Sequence, residues 1–117
     1  MIEARRGDVV LVLFPNSDLR TAKKRPAVIV QRDNLATGLA QTIVAMISSN
    51  LERRGHPSRI YIAVQSSEGR IAGLRLDSVI MTDNLATVLD SEIDSSLGHL
   101  PDLTASEGAL KYTFALP

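Results

Sequence analysis

The stretch TAKKRPAVIV, residues 21–30, places three cations directly before a proline and an apolar run. The run Ala27–Val30 has the β-branched, apolar composition of a buried strand. A longer apolar run, VVLVLF at residues 9–14, precedes it and ends in turn-forming residues at 15–18. Neighbouring strands joined by a short loop usually pair as an antiparallel hairpin. This part of the chain therefore predicts a sheet in which positive charge stands at the root of a core strand.

The remainder of the chain continues the β pattern. Further strands are predicted at Ile43–Ile47, Arg59–Val64 and Leu74–Thr82, with a short edge strand at Leu85–Val88. Several of these runs are continuously apolar rather than alternating. Since antiparallel strands of that kind need cover on both faces, the pattern favours a small barrel over an open sheet.

The hydrophobic period changes at the C-terminus. Residues 104–107 (TASE) have the spacing of a capping box, and Leu103, Leu110 and Phe114 fall near helical spacing, which predicts a helix with these three in the core. A shorter helical turn is predicted at Asp90–Ile93. The predicted fold class is mainly β with α: a small antiparallel, SH3-like β-barrel of five or six strands with a C-terminal helix.

Length and composition limit the classes of protein to which this chain can belong. A chain of 117 residues, 44% hydrophobic and 22% charged, suits one globular domain spanning residues 1–117. Without cysteines there is no disulfide or zinc–thiolate site, and His56 and His99 lie too far apart for metal-ligand spacing. The apolar runs are too short to cross a bilayer. We therefore expect a soluble, cytoplasmic domain with no metal, no cofactor and no membrane partner.

Charge is distributed unevenly although the formal net charge is zero. Residues 1–59 hold ten Lys and Arg against five Asp and Glu, a balance of +5. Residues 60–117 hold three against eight, a balance of −5. The basic half can offer a local face for phosphates, although solvated surfaces often show such asymmetry.

Hairpin geometry predicts a cluster at one end of the sheet. If the strands on either side of the loop at 32–41 pair, Arg25 comes opposite Ser48, within about one rung of register. The loop at 15–24 and the Ser48-Ser49-Asn50 segment then gather at that end. Charged flanks of strands and polar turn residues also produce such a pattern without any site.

The residue types in this cluster limit its chemistry. A guanidinium, a hydroxyl and flanking ammonium groups suit an anion whose charge grows in a transition state, above all a phosphoryl group. A Ser-His-Asp triad does not fit, since no histidine lies near Ser48 in the predicted strand arrangement. His56 is the one histidine that could reach in, from the loop after that strand.

Five motifs, in order, resemble the MazF/PemK-like toxin family. They are RGDVVLVLFP at 6–15, KKRPAVIV at 23–30, TIVAMISSN at 42–50, GLRLDSVIMTDNLATV at 73–88 and GHLPDL at 98–103. The resemblance implies the small toxin barrel with a C-terminal helix that is also found in CcdB-like proteins, and a homodimer. It also implies a metal-independent endoribonuclease that cuts single-stranded RNA at short sequences and is neutralised by a cognate MazE/PemI-like antitoxin.

The resemblance also assigns residues. The catalytic arginine before the proline falls on Arg25, and the catalytic threonine falls on Ser48, which keeps the hydroxyl. The residues expected to bind RNA are Arg20, Lys23, Lys24, Ser49, Asn50 and Arg53. Tyr61 is the one aromatic side chain considered for base stacking.

Two departures from the family pattern accompany these matches. Where many members read Asp-Gln-Ile-Arg-Thr, this chain has DNLAT at 83–87, with Ala86 in place of the arginine. The loop between the first two strands is also shorter than in the longer-looped members. A non-catalytic barrel that acts by binding protein, as a gyrase poison does, is therefore the alternative function. A third possible function is that of a small barrel that serves only as a binding module.

Overall fold

The computed structural model describes residues 4–117. Six strands, two helices and two 3₁₀ turns follow one another along the chain: β1 (Asp8–Pro15), β2 (Ala22–Ile29), β3 (Gln41–Ser48), a 3₁₀ turn (Leu51–Arg53), β4 (Arg59–Ile62), α1 (Ser67–Ile71), β5 (Ser78–Leu89), a 3₁₀ turn (Asp90–Glu92), β6 (Ile93–His99) and α2 (Thr104–Phe114). Across residues 4–117, no helix is long and apolar enough to span a membrane.

The strands form one antiparallel sheet in the order β4-β5-β3-β2-β1-β6. β1 is the first strand in sequence yet lies inside the sheet, between β2 and β6. The six-stranded antiparallel architecture with a C-terminal helix confirms the predicted fold class, and the 3₁₀ turn after β5 confirms the predicted helical turn.

Several predicted strand boundaries were wrong. β2 begins at Ala22, so the cations lie within the strand and not at its root, because the apolar β1 pairs with it as far as Pro15. The strands predicted at 74–82 and 85–88 merge into one strand, β5, which begins only at Ser78 and has an irregularity between the partners of Ala45 and Met46. A bulge of this kind bends a strand while its pairing continues on either side. β4 ends at Ile62 and not at Val64.

Two elements escaped the prediction. β6 (IDSSLGH) carries few apolar residues, and its pairing with the exposed edge of β1 makes it a strand. Helix α1 is only five residues long and begins where the Ser66 hydroxyl accepts a hydrogen bond from Gly69 N, at 3.0 Å. Both elements depend on tertiary or capping contacts rather than on hydrophobic periodicity.

The core occupies both faces of the central strands. Val9 and Val10 are adjacent in β1 and fully buried, yet they belong to two different apolar clusters. Because successive side chains of a strand point to opposite faces, the central sheet is covered on each side, as its continuous apolar runs predicted. Phe14 is only 1% exposed and belongs to the second cluster.

Gly73 and Gly98 allow two backbone segments to approach closely: the segment from α1 to Gly73, and the edge strand β6. The chain from α1 to Gly73 follows β4 and packs against β6. A Cβ atom on Gly98 would overlap the carbonyl oxygen of Ile71, and one on Gly73 would overlap that of Leu97. Such close approach requires residues without a side chain.

Helix α2 confirms the predicted C-terminal helix but not its details. The Thr104 capping box does not form; Leu103 occupies the N-cap position, and Asp102 Oδ1 accepts the Thr104 N–H at 2.9 Å. Phe114 is 53% exposed and is not a core residue. The inward face contains the buried Ser106 and Ala109, and Leu103 beside it packs against the apolar cluster of Val9, as predicted.

Polar contacts complete the attachment of α2. Thr113 Oγ1 lies 2.8 Å from Thr82 Oγ1 on β5, and Arg6 Nη1 donates to Glu107 Oε1 at 2.9 Å. The helix therefore docks through hydroxyl groups and an ion pair as well as through apolar packing. Apolar spacing alone therefore placed Leu103 correctly but missed the polar contacts and misplaced Phe114.

Candidate functional site

A cleft of about 560 Å³ opens at one end of the sheet. Its walls come from β2, the end of β3, the loop between α1 and β5, and one leucine from each of β1 and β6. The lining residues are Leu11, Lys23, Lys24, Arg25, Pro26, Ile47, Ser48, Ser49, Asn50, Gly73, Leu74, Arg75, Leu76, Ser78 and Leu97.

Strand register brings Arg25 and Ser48 into this cleft together. Ala27 pairs with Met46, and continuing that register by two residues places Arg25 opposite Ser48, as the sequence predicted. On their other sides, Arg25 pairs with Val12 of β1 and Ser48 with Val79 of β5. The recorded pairing of β2 with β3 ends at Ala27 and Met46, so each of the two residues is paired on one side and faces the other across the cleft end of these strands.

The Arg25 side chain makes one hydrogen bond and has one buried donor atom without a partner in the part of the chain that the structure describes. Its Nη2 donates to Asn16 Oδ1 at 2.9 Å, while its Nε is buried and has no hydrogen-bond partner among residues 4–117. Leaving a buried donor unpaired costs on the order of 1–3 kcal/mol. An anion bound in the cleft would supply the missing acceptor, and a guanidinium can offer it two parallel N–H groups.

Asn16 is held in place by the turn between β1 and β2. Its Nδ2 donates to Thr21 Oγ1 at 2.9 Å, and the Thr21 hydroxyl lies 2.9 Å from Asp18 Oδ2. The pKa of Asp18 lies below its ordinary value, chiefly because the Arg20 and Thr21 N–H groups donate to its carboxylate. The turn thus forms a hydrogen-bonded chain that ends on the guanidinium of Arg25.

From the sequence, Asn16 was identified only as a turn former. The one sequence feature that could have indicated its contact with Arg25 was its position directly after β1, across the hairpin from the cations of β2. Asparagine is common in turns because it bonds to nearby backbone groups. Its contact with Arg25 therefore became visible only with the fold.

The segment after β3 orders itself around its polar side chains. Ser48 Oγ accepts the Asn50 N–H at 3.1 Å, and Asn50 Oδ1 accepts the Glu52 N–H at 3.1 Å, which caps the 3₁₀ turn. A hydroxyl that accepts one hydrogen bond can still donate its proton. Ser48 is therefore both oriented by the backbone and able to donate to a ligand.

The other predicted RNA-binding residues divide into two groups. Lys23 and Lys24 line the cleft, as do Ser49 and Asn50. Lys24 Nζ lies 3.5 Å from Asp94 Oδ2, but both side chains are more than half exposed, so solvent weakens the pair. Arg20 in the β1–β2 turn and Arg53 in the 3₁₀ turn do not line the cleft.

Neither His56 nor Tyr61 lines the cleft. His56 Nδ1 lies 2.7 Å from Ser58 Oγ, and its ring meets that of Tyr112 edge-on at 5.8 Å, so the histidine does not reach in beside Ser48. Tyr61 is 43% exposed on β4, with the Arg54 guanidinium 5.7 Å from its ring centre.

The DNLAT sequence at 83–87, which differs from the family pattern, makes contacts within the sheet and does not line the cleft. Asp83 pairs with Arg59 at 2.8 Å, and hydrogen bonding by that guanidinium lowers the pKa of Asp83. Ala86 pairs with Val44 in the sheet and does not line the cleft.

The wall formed by the loop that begins at Gly73 was not predicted from the sequence. Leu74, Arg75 and Leu76 line the cleft from this loop. These three residues fell inside the strand predicted at Leu74–Thr82, which in the structure begins only at Ser78.

The charge of the lining determines what the cleft can bind. Lys23, Lys24, Arg25 and Arg75 contribute four cations, and none of the lining residues is Asp, Glu, His or Cys. The lining offers no usual metal ligand and no imidazole base. The fold and the cleft together define a small antiparallel β-barrel protein with a cationic cleft.

The chain belongs to the PemK-like, MazF-like toxin family of type II toxin-antitoxin systems, whose model matches residues 5–108. It is 28% identical over 90 residues to endoribonuclease MazF6 of Mycobacterium tuberculosis, which covers 76% of this chain and 75% of that protein. The same identity and coverage relate it to endoribonuclease MazF2 of Mycobacterium bovis.

Solved structures share the fold at lower identity. A mycobacterial endoribonuclease in complex with its cognate antitoxin superposes with a TM-score of 0.74 at 20% identity, covering 98% of each chain. MazF from Deinococcus radiodurans superposes with a TM-score of 0.72 at 17% identity, covering 99% of this chain and all of that one. These likenesses extend over the whole barrel and its C-terminal helix.

Proposed function

We propose that this toxin is a metal-independent endoribonuclease that cuts single-stranded RNA at short specific sequences. The observation that carries the proposal is the Arg25 guanidinium, whose buried Nε–H lacks an acceptor in a cleft that also contains the Ser48 hydroxyl. An RNA phosphate supplies that acceptor. The name endoribonuclease, borne by the mycobacterial relatives, supports the same activity.

The proposed reaction is an intramolecular transesterification at one phosphodiester linkage of the RNA. The 2′-oxygen attacks the adjacent phosphorus, the bond from phosphorus to the 5′-oxygen breaks, and the products are a 2′,3′-cyclic phosphate and a 5′-hydroxyl. The proton leaves the 2′-oxygen, and the departing 5′-oxygen gains one. Negative charge grows on the non-bridging phosphate oxygens during this step.

Arg25 and Ser48 act on that growing charge. A guanidinium keeps its proton at physiological pH and is a poor base, so proton removal is not assigned to Arg25. Its role is a bidentate hydrogen bond to the phosphate oxygens, and Ser48 donates one more. Lys23, Lys24, Ser49 and Asn50 hold flanking parts of the RNA, and Arg20 and Arg53 extend this contact outside the cleft.

The direct test is incubation of purified protein with a long RNA in EDTA, followed by mapping of the ends. Discrete cuts that leave 5′-hydroxyl ends are expected, at positions sharing a short sequence. Intact RNA at micromolar protein would refute the nuclease and favour a barrel that acts by binding protein.

A prediction concerns the hydrogen bond between Asn16 and Arg25. Asn16→Ala removes the acceptor that orients the guanidinium, and we expect turnover to fall about tenfold with little change in RNA affinity. Asn16→Asp keeps an acceptor oxygen and should recover most of that loss. Rates at saturating RNA, set against binding to a non-cleavable RNA, separate the two effects.

Ser17→Ala is the matched control for Asn16, because Ser17 is an exposed neighbour in the same turn. It should behave as the wild type does. Equal rates for Asn16→Ala and Ser17→Ala would contradict a positioning role for Asn16.

The proposed partners are a second copy of the chain and an antitoxin. Tyr112, Phe114 and Leu116 are each more than half exposed and leave apolar surface for association. A mass near 12.7 kDa by light scattering at tens of micromolar would exclude the homodimer.

A MazE/PemI-like antitoxin segment rich in Asp and Glu should cover the cationic cleft and compete with RNA. Unimpaired cleavage with both bound would exclude a shared site.

The proposed setting is the cytoplasm, where the RNA substrate is found, and the whole of residues 1–117 is proposed to act as one domain. Fractionation of cells that express the chain tests the first statement. Limited proteolysis tests the second, which a stable, separately folded fragment would contradict.

A further inference from the structure

Arg75 is a cation of the cleft that the reaction described above does not use. It lies in the loop between α1 and β5, its side chain is exposed, and within residues 4–117 it makes no hydrogen bond or ion pair. Two other arginines, by contrast, are held in ion pairs: Arg6 with Glu107 at 2.9 Å, and Arg59 with Asp83 at 2.8 Å. The charge of Arg75 is therefore available to a ligand.

The backbone on either side of Arg75 is firmly held. The Leu74 N–H donates to Gly69 O at 3.1 Å, and the Leu76 carbonyl accepts the Ser78 hydroxyl at 2.8 Å. Asp77 Oδ1 accepts the Val64 N–H at 2.8 Å, which ties the loop to the chain beyond β4. Arg75 thus projects from an anchored loop, so little backbone ordering opposes its use in binding.

The position of Arg75 separates it from the other cations of the lining. Lys23, Lys24 and Arg25 come from one strand, β2, whereas Arg75 comes from a segment that packs on β6 through Gly73. A single phosphate at Arg25 leaves the charge of Arg75 unmatched. A polyanionic strand that runs along the cleft brings a second phosphate to it.

We infer that Arg75 binds an RNA phosphate that flanks the one cleaved at Arg25, so that the RNA is held between β2 and the Gly73–Leu76 loop. The inference rests on the proposed endoribonuclease function and identifies a further substrate contact of that site. A guanidinium is suited to this contact because its planar fork matches a phosphate.

The test compares Arg75→Ala with Arg70→Ala. Arg70 is an exposed arginine on α1, five positions earlier, and does not line the cleft, so it controls for the loss of one positive charge. The probe is a synthetic RNA that carries the mapped cut sequence, with a 2′-O-methyl group at the scissile nucleotide. Its Kd is measured between 50 and 200 mM salt.

Arg75→Ala should raise Kd about tenfold and make the plot of log K against log salt shallower by about 0.7, the share of one phosphate contact on a single strand. Arg75→Lys should restore the salt slope. Arg70→Ala should leave both quantities at the wild-type values.

Two results would overturn the inference. In the first, Arg75→Ala binds the probe with wild-type affinity and slope while the wild type still cuts RNA; the nuclease proposal then stands without this contact. In the second, Arg75→Ala weakens antitoxin binding alone. Failure of the wild type to cut or bind RNA would remove both proposals together. Arg75→Gln, checked by thermal melting, replaces the alanine variant if that variant is unstable.

Discussion

Arg25→Ala should lower RNA cleavage by a factor on the order of 10² or more, with RNA binding weakened much less. Removal of one preorganised donor to a developing anion has an effect of this size in other enzymes. The structure supports a large value here, because Arg25 projects from a central strand and already has one bond fixed by Asn16. Single-turnover rates at saturating protein, beside Kd for a non-cleavable RNA, measure the two quantities.

Neighbouring substitutions distinguish a catalytic donor from general positive charge. Arg25→Lys should recover little activity, because an ammonium cannot supply the two-pronged hydrogen bond. Lys23→Ala and Lys24→Ala should chiefly weaken binding and its dependence on salt. Ser48→Ala should fall between these classes, and Ser48→Thr should stay active, since the hydroxyl is kept.

Thermal melting must accompany these variants because Arg25 adjoins the core. Ala27, two residues on in β2, is fully buried. A folded Arg25→Ala protein that cuts RNA at the wild-type rate would show that the site is assigned wrongly.

Gly98→Ala should strongly destabilise the protein, lowering the free energy of unfolding by about 2 kcal/mol and the melting temperature by roughly 8 °C. The new Cβ would overlap the Ile71 carbonyl oxygen and lie 2.6 Å from the carbonyl carbon of Ala72. Both are backbone atoms, so no side chain can turn aside. The segment from α1 to Gly73 must then move away from β6, and the cleft wall moves with it.

Gly108→Ala is the control for this effect. Gly108 lies inside α2, and a Cβ there meets nothing within 4 Å. Alanine should stabilise the helix by roughly 0.5–1 kcal/mol. Urea unfolding followed by circular dichroism compares the two; equal stability of Gly98→Ala and the wild type would mean that β6 and α1 are not in contact.

The sequence by itself determined the β-rich barrel, the succession of strands β1 to β4, and the placement of Arg25 opposite Ser48. These features depend on local apolar runs and on hairpin register, both of which can be read from neighbouring residues. Apolar stretches such as VVLVLF need burial on both faces, and a short loop permits only antiparallel pairing. Register placed Arg25 and Ser48 together, and the family resemblance supplied the catalytic roles proposed for them.

The tertiary structure decided which other residues share the cleft. Asn16 and Arg75 lie in a turn and a loop, so neither carries a hydrophobic period that could locate it. Arg75 reaches the cleft because Gly73 and Gly98 let α1 and β6 touch, a contact between segments about 25 residues apart in the chain. The polar β6 likewise becomes a strand only because β1 offers it an edge. Contacts between distant backbones depend on the whole packed barrel, and no local pattern in the sequence encodes them.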